Sequence, residues 1–292
     1  MTQPSFSTAG MSHQEWLKFR RQGIGGSDVA AILGFSPWRS PFSVWADKTG
    51  RTPIDEQGNE FTHWGTIMEP ILAGEFQNVT GKKVFRQNKT FYVPEHPFLR
   101  ANIDRDIAGE PGFLEIKTAT EYKSSEWQDD KVPIPYQFQV QHYMHVLNRP
   151  YVYFAYLVGG HAFGFKRVDR DQASIDQFEP MLIDWWEKHI INDEPPEVDG
   201  TDATTSALRA LYPDDDGDTV ILDNQFDTLL TDREQLKASI KETNSAVSAI
   251  DNQLRQAIGD ATTGETGNWL VTNKTSKSGS RTLRVKRKKE SD

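Results

Sequence analysis

The sequence contains no cysteine among its 292 residues. This absence excludes disulfide bonds, zinc–thiolate sites and cysteine-ligated iron–sulfur clusters, so any bound metal must be held by oxygen or imidazole ligands. No apolar run approaches the roughly 18 residues that a membrane span needs. The first residues, MTQPSFSTAGMSHQEW, lack the charged and apolar regions of a signal peptide. We therefore expect a cytoplasmic protein of a bacterial or phage-infected cell, with no membrane partner.

The net charge of −9 argues against a protein that coats nucleic acid by bulk charge. The charge is unevenly distributed, however. The run YPDDDGD at 212–218 is acidic, whereas the last segment, NKTSKSGSRTLRVKRKKESD, is basic as far as Glu290. Because local basic clusters can bind phosphate in an acidic protein, this tail predicts either a contact with DNA or a partner protein, or a plain solvated end.

The pattern of elements predicts an α/β fold with a mixed sheet flanked by helices. Four strand patterns follow one another between residues 83 and 118, a helical pattern covers 136–147, and two further strands form a hairpin around Gly159-Gly160. This body, residues 1–198, ends near EPPEVDG. Residues 199–292 are predicted to be an appendage made of an acidic linker, a long helix, a β-hairpin and the basic tail.

Capping residues predict where several helices begin. Ser40-Pro41 starts a helix that Gly50 ends, and Ser27 and Ser174 cap two others. Thr231 and Glu234 form a capping box for the long helix. The apolar side of that helix, which includes Leu236, Ile240, Val247 and Ile250, is expected to pack on the body or to pair with another helix.

The strands around residues 98–120 carry charges that need a partner, because burying an unpaired charge costs several kcal/mol. Side chains alternate between the faces of a strand, so FLEIKT places Glu115 and Lys117 on one face. If this strand pairs with ANIDRD, Asp104 can meet Glu115 at one edge of the sheet. Two carboxylates, a backbone carbonyl and waters suit Mg²⁺ or Mn²⁺, and the lysine could then orient or deprotonate an attacking water.

A common cross-strand Glu–Lys pair, with Asp104 in a turn, is the alternative that needs no metal. The sequence also contains a second Glu-x-Lys at Glu121-Tyr122-Lys123. It is disfavoured because ATEYKSS lacks apolar alternation and is typical of a loop.

Two further segments carry candidate site residues. In the helix YQFQVQHYMHVL, Gln139 and Tyr143 share a face, and Tyr136 lies one turn earlier. Gln139 could turn toward the sheet edge and hold a water or a phosphate, or it could lie on an exposed polar face. Gln141 and His142 are expected to be exposed.

The segment RRQGIGGSD predicts an anion site. Backbone amides at the start of a helix, the hydroxyl of Ser27 and the guanidinium of Arg21, with Arg20 as a possible addition, could clamp a phosphate. A tight turn that only caps a helix is the alternative. Glu69, in the first turn of a helix predicted over 66–80, either stabilises that helix terminus or adds a carboxylate beside the metal.

Four blocks in this order resemble the YqaJ-like viral recombinase family, which includes phage lambda exonuclease and belongs to the PD-(D/E)xK nuclease superfamily. The blocks are RRQGIGGSDVAAILGFSPW, GTIMEPIL, ANIDRDI with GFLEIKT, and YQFQVQHYMHV, and the resemblance covers about residues 15–190. It implies a restriction-endonuclease-like sheet and a Mg²⁺-dependent 5′→3′ exonuclease that accepts Mn²⁺. Such an enzyme digests one strand from a duplex DNA end and leaves a 3′ overhang for a single-strand annealing protein.

The resemblance also implies a role for each matching residue. Asp104, Glu115, the backbone carbonyl of Ile116 and Glu69 would bind the metal, and Lys117 would activate the water. Gln139 would belong to the catalytic set. Arg21 and Ser27 would bind the 5′-terminal phosphate, and the chain would form a homo-oligomer, such as a ring-shaped trimer.

The match is incomplete in two places. Ile103 precedes Asp104 where the superfamily name leads one to expect proline, and the segment after about residue 200 matches poorly. Two alternatives therefore stay open: a structure-specific endonuclease on the same fold, and a DNA-end-binding recombination module without catalysis.

Overall fold

The computed structural model describes residues 3–54, 58–129, 131–277 and 279–288. The chain divides into two compact units, Met1–Asp215 and Asp216–Asp292. Within the described residues, no helix is long and apolar enough to cross a membrane.

The described residues of the first unit form eight strands. They are β1 (Ser5–Ser7), β2 (Val84–Phe85), β3 (Lys89–Val93), β4 (His96–Ala101), β5 (Arg105–Ile107), β6 (Phe113–Ala119), β7 (Tyr151–Val158) and β8 (Ala162–Asp169). Five of them form the central sheet in the order β2-β5-β6-β7-β8, and β1, β3 and β4 form a smaller antiparallel sheet. Only β6 and β7 pair in parallel among the neighbours of the central sheet. A parallel pair needs a long crossover, and here the crossover contains a helix.

Seven α-helices lie in the part of the first unit that the structure describes. They are α1 (His13–Arg20), α2 (Gly26–Ile32), α3 (Pro41–Lys48), α4 (Glu60–Thr80), α5 (Ile134–Leu147), α6 (Gln172–Trp186) and α7 (Asp202–Leu211). The predicted start of α3 is confirmed, because the Ser40 hydroxyl accepts the Ser43 amide and Pro41 occupies the first turn. Helices therefore flank a mixed sheet, and the predicted α/β architecture is confirmed.

The two faces of β6 pack against different helices. Leu114 and Ile116 lie in a cluster with Leu72 and Phe76 of α4. Phe113 faces the other way, into the main core, which contains residues of α2, α5 and α6. Glu115 and Lys117 have the same parity as Phe113, so the sheet presents them toward α5.

The second unit consists of one long helix and a small sheet. Helix α8 (Gln225–Ile258) is followed by β9 (Thr263–Glu265), β10 (Trp269–Thr275) and β11 (Arg281–Arg287), which form an antiparallel sheet in the order β11-β10-β9. Residues Arg281–Arg287 of the basic tail form the strand β11. The apolar side chains at 236, 240, 247 and 250 on α8 are exposed.

Three predicted boundaries differ from the structure. The first unit extends to Asp215 rather than to residue 198, since α7 packs against α3. Helix α8 begins at Gln225, so Thr231 lies inside it and its hydroxyl donates to the Asp227 carbonyl instead of capping. Helix α4 begins at Glu60, so Glu69 lies in the middle of the helix rather than in its first turn.

Two predicted caps are also wrong. The residue before α2 is Gly25, whose amide donates to the Asp28 carboxylate at 3.0 Å, and Ser27 is already helical. The cap of α6 is Asp171, whose carboxylate accepts the Ser174 amide. In both cases an aspartate, a stronger acceptor than a hydroxyl, makes the capping interaction.

The expectation that Gln141 and His142 are exposed is wrong. Both are buried in α5. Gln141 donates to the Asp169 carbonyl and accepts the Asp171 amide, and the His142 ring lies 3.0 Å from the Arg100 carbonyl. A helix enclosed by other elements has no exposed face, and its polar residues must find partners.

The buried histidine predicts a pH dependence of stability. Burial lowers the pKa of His142 to about 4, against about 6.5 in an unfolded chain. The unfolded chain therefore takes up a proton first as the pH falls, so the free energy of unfolding should decrease from pH 6.5 down to pH 4. The loss should approach about 3 kcal/mol. Urea denaturation of the wild type and His142→Gln at pH 7 and pH 4.5 checks this; equal pH dependence in the two proteins would contradict it.

Candidate active site

Asp104 lies where the chain passes from β4 to β5, and its carboxylate binds the edge of β6. Its Oδ2 accepts the Ile116 amide at 2.7 Å. Strand β5 pairs with β6 only at Arg105 and Asp106, so the Asp104 side chain continues the hydrogen bonding where the backbone ladder stops. This brings the two carboxylates of Asp104 and Glu115 together, as the strand pattern predicts.

Lys117 and Gln139 both contact Glu115. Lys117 Nζ lies 2.8 Å from Glu115 Oε1 and 3.1 Å from Gln139 Oε1. Gln139 Nε2 donates to the same Glu115 oxygen at 2.6 Å. The Lys117 ammonium also lies 4.8 Å from the centre of the Tyr136 ring, and the Tyr143 hydroxyl lies 3.5 Å from Gln139 Nε2. The helix face that carries Gln139 and Tyr143 therefore turns toward the sheet.

The carboxylates in this cluster are difficult to ionise together. Burial and the neighbouring charge of Glu115 raise the pKa of Asp104 well above its usual range. Burial also raises the pKa of Glu115, although Lys117 opposes the shift. For Lys117, desolvation lowers the pKa, but the charges of Glu115 and Asp104 outweigh it and raise the pKa. The lysine is therefore held protonated between two carboxyl groups.

The cluster fits a divalent cation. Glu115 Oε2 is buried and has no hydrogen-bond partner among the described residues, and a bound cation would satisfy it. The Ile116 carbonyl points to the same edge of β6 as its amide, toward Asp104. Mg²⁺ usually keeps several waters and takes few protein carboxylates. Among the described residues, no three or more carboxylate or imidazole side chains are arranged to hold a metal. A cation here would therefore be bound by two carboxylates, a backbone carbonyl and waters.

Glu69 lies at the margin of the cluster. It forms an ion pair with Arg105, and its charge contributes to the raised pKa of both Asp104 and Glu115. Arg105 also donates to the Asp104 carbonyl at 2.6 Å. Arg105 was not singled out from the sequence. Its position in a short strand whose residues are buried could have indicated that it pairs with a carboxylate. The Glu69 carboxylate is therefore shared with Arg105, and it is not free to serve only as a metal ligand.

A second group of polar residues surrounds the start of α2. Arg20 Nη2 donates to the Ser27 hydroxyl at 2.7 Å, and both side chains are accessible to solvent. The structure does not bring Arg21 to this place. Arg21 instead binds Asp47 at 2.9 Å and the Thr52 carbonyl at 2.8 Å. The amide of Gly25 is occupied by Asp28, so anion binding here depends on the side chains of Arg20 and Ser27.

Below Ser27, a buried ion network holds α2 to α3. Asp28 is fully buried, pairs with Lys48 at 2.6 Å and also binds Arg39. Burial by itself would raise the pKa of Asp28, but the charges of Lys48 and Arg39 reverse the shift and hold the pKa far below its usual range. The negative charge of Asp28, which alone would repel a phosphate at the start of α2, is therefore compensated by two cations.

Gly26 joins the two groups. A side-chain carbon at this position would lie 2.6 Å from Gln139 Cγ and 2.6 Å from Tyr143 Cε1, which is too close for any residue but glycine. Helix α2, which carries Ser27, therefore lies directly against the face of α5 that carries Gln139 and Tyr143.

Comparison with known proteins supports the family resemblance. The YqaJ-like viral recombinase domain matches residues 15–150. The protein YqaJ of Bacillus subtilis (strain 168) is 38% identical over 267 residues, which cover 89% of this chain and 82% of YqaJ. The chain belongs to the YqaJ-like viral recombinase family.

Solved structures support the fold. The alkaline exonuclease LHK-Exo from Laribacter hongkongensis matches with a TM-score of 0.52 at 18% identity, over 61% of this chain and 93% of that enzyme. The structure of LHK-Exo in complex with dAMP matches with a TM-score of 0.51 at 20% identity and the same coverage. At such low identity the match concerns the fold.

Proposed function

We propose that this protein is a Mg²⁺-dependent 5′→3′ exonuclease acting on duplex DNA. The observation that carries the proposal is the cluster of Asp104, Glu115, Lys117 and Gln139, in which two carboxylates with raised pKa values and an unpartnered carboxylate oxygen face one lysine. Membership of a viral recombinase family and the fold shared with an enzyme described as an exonuclease support it.

In this proposal each residue has a separate task. Asp104, Glu115 and the Ile116 carbonyl hold the cation, which supplies charge neutralisation and polarises the scissile phosphate when bound. Glu69 stays at the edge and holds Arg105. Gln139 fixes Glu115 and Lys117 in one geometry through two hydrogen bonds. Neutralising the carboxylates would remove the interactions that keep Lys117 protonated, so burial would then lower its pKa and let it accept a proton from water.

The Arg20–Ser27 pair supports the 5′→3′ polarity in this proposal, in which the pair binds a 5′-terminal phosphate. An accessible guanidinium and a hydroxyl at hydrogen-bonding distance suit a phosphate, and Gly26 keeps the pair next to the catalytic cluster. A pocket that binds the terminal 5′-phosphate would position the adjacent phosphodiester for cleavage. The strand left behind would be a 3′ overhang suited to a single-strand annealing protein.

The test uses linear duplex DNA with phosphorylated or unphosphorylated 5′ ends and a covalently closed duplex circle. Each is incubated with Mg²⁺, with Mn²⁺ and with EDTA. We expect metal-dependent loss of the 5′-phosphorylated strand and an intact circle. Cleavage of the circle would instead identify an endonuclease, and intact linear DNA with retained end binding would identify a recombination module without catalysis.

The geometry predicts that the adjacent arginines differ. Arg20→Ala should reduce the ratio of initial rates on 5′-phosphate and 5′-hydroxyl ends to near one, since it removes the cation beside Ser27. Arg21→Ala should keep the ratio, because Arg21 is engaged by Asp47. Initial rates of digestion of DNA with 5′-phosphate and 5′-hydroxyl ends, measured for both variants, test this prediction. Loss of the preference in Arg21→Ala alone would restore the role that the sequence suggested for that residue.

Metal binding can be tested without cleavage. Mg²⁺ or Mn²⁺ should raise the melting temperature of the wild type, because a ligand at 100 times its dissociation constant stabilises the folded state by about 2.7 kcal/mol. Glu115→Gln should lose most of this shift, since it removes one charged ligand. A full shift in Glu115→Gln would contradict the assignment of Glu115 as a ligand.

Assembly is also part of the proposal. A homo-oligomer, such as a ring-shaped trimer, would retain the DNA between rounds of cleavage. Light scattering of the full chain measures its mass. A monomer at working concentration would refute the proposed homo-oligomer but would not affect the proposed cleavage reaction.

A further inference from the structure

The positive charge of the second unit is concentrated in its small sheet. Between residues 259 and 288 the sequence has seven lysine or arginine residues and two acidic residues, in a chain whose net charge is −9. Four of these cations lie on the edge strand β11, which pairs with β10 along its whole length, and Lys274 lies on β10. The cations therefore have defined positions on a sheet rather than on a flexible end.

Strand alternation divides these residues between two faces. Val271 and Asn273 are buried on the face that contacts α8, and Arg281 on the same face donates to the carbonyls of Gly259 and Ala261. Arg281 thus has a structural role, because it closes the sheet over the end of the helix.

The opposite face carries hydroxyl groups and cations, with Leu270 and Glu265 at the end beside Lys286. Thr272 pairs across the strands with Arg284, and Lys274 pairs with Thr282. Lys286 continues the row, about 6.7 Å beyond Arg284 on the same strand. We call Lys274, Arg284, Lys286 and the two threonines the basic face.

The three cations of the basic face have no partner. Lys274, Arg284 and Lys286 are exposed, and none forms a hydrogen bond or ion pair with another described residue. By contrast, the neighbouring Lys288 pairs with Glu265 at 3.0 Å. Unpaired cations close together on one face repel each other, and a polyanion laid along the face would offset this repulsion.

We propose that the basic face binds the phosphate backbone of duplex DNA, independently of sequence, as a contact additional to the catalytic cluster. The inference rests on the proposed function in taking DNA as the substrate. Cations and threonine hydroxyls are the groups that contact phosphate oxygens. Surfaces that prefer single strands add aromatic rings on which bases stack, and this face has none among its described residues, since Trp269 belongs to the other face.

The test measures binding of the full chain to a covalently closed duplex circle in EDTA, with Glu115→Gln as the parent protein so that cleavage plays no part. A circle has no end, and the terminal-phosphate pocket is therefore not engaged. The triple variant Lys274→Gln, Arg284→Gln, Lys286→Gln should lower the slope of log K against log salt by about 2.7, at about 0.9 per lost phosphate contact. Affinity at low salt should fall at least tenfold.

Two matched variants control for net charge and folding. Lys237→Gln, Lys241→Gln, Arg255→Gln removes three cations from α8 in the same unit and should leave the slope unchanged. The charge-preserving variant Lys274→Arg, Arg284→Lys, Lys286→Arg should retain parental binding. If the variant that lacks the three basic-face cations has the same slope as the parent, the inference is overturned. The charges would then serve only to protect the sheet edge against pairing with another strand. A loss seen only with a single-stranded circle would also overturn it.

The two proposals fail separately. If the wild type digests linear DNA while the basic-face variant keeps the parental slope, the basic face is wrong and the nuclease stands. If the circle binds through the basic face but no linear DNA is digested, the nuclease is wrong and the basic face stands. If the parent binds no duplex at low salt, the basic face is refuted.

Discussion

Lys117→Ala is expected to lower the rate of DNA digestion by about 10²–10⁴-fold, which is the usual contribution of a positioned acid–base group. Its affinity for DNA ends should stay within a fewfold of wild type. Lys117 is the cation that contacts both Glu115 and Gln139, and in the proposed function it is the group that orients and deprotonates water. The Arg20–Ser27 pair and the carboxylates remain. Single-turnover digestion and end binding in EDTA measure the two quantities.

The chain supplies a matched control for this variant. Lys123 stands in Glu121-Tyr122-Lys123, which has the same Glu-x-Lys spacing, but it lies in a short 3₁₀ helix and pairs with Glu126 on the surface. Lys123→Ala should digest DNA at the wild-type rate. Comparable losses in the two variants, or near-normal activity of Lys117→Ala, would remove Lys117 from the catalytic cluster.

Lys48→Met is expected to have the largest effect on stability, about 3–5 kcal/mol, because it leaves a buried carboxylate without its closest cation. The Lys48 and Asp28 side chains are at most 1% exposed, and their atoms lie 2.6 Å apart. Arg39 and the Gly25 amide would remain as partners of Asp28. Urea denaturation at pH 7 measures the change in the free energy of unfolding.

Lys82→Met is the control for that prediction. Lys82 also forms an ion pair at 2.6 Å, with Glu110, but this pair is accessible to solvent and exposed pairs contribute little. Its loss should leave the unfolding midpoint nearly unchanged. Equal destabilisation by the two variants would show that burial of the Asp28 network is not what makes it important.

The buried ion network of Asp28, Lys48 and Arg39 also affects the proposed active site, because it holds α2 in position. Asp28 anchors α2, and α2 contacts Gln139 and Tyr143 at Gly26. A shift of α2 would therefore move both the Arg20–Ser27 pair and the glutamine that holds Lys117. In Lys48→Met we expect lower activity to accompany lower stability, whereas Lys117→Ala should lose activity with its fold intact.

The sequence by itself determined the features that depend on local periodicity. Alternation in FLEIKT placed Glu115 and Lys117 on one face of β6, and the spacing of four residues placed Gln139 and Tyr143 on one face of α5. Ser40-Pro41 marked the start of α3. These predictions hold because a strand repeats every two residues and a helix every 3.6, whatever the rest of the chain does.

Only the tertiary structure decided which partner each long or polar side chain meets. Arg20 and Arg21 are adjacent in sequence, yet one reaches Ser27 and the other Asp47, because successive residues at a helix end point in directions about 100° apart. Asp104 binds a backbone amide that the strand pairing leaves open, and Gln141 and His142 are buried because other elements enclose α5. Arg284 and Lys286 form a patterned face with Lys274 because β11 pairs with β10. Such pairings join residues distant in the chain, and no local pattern specifies them.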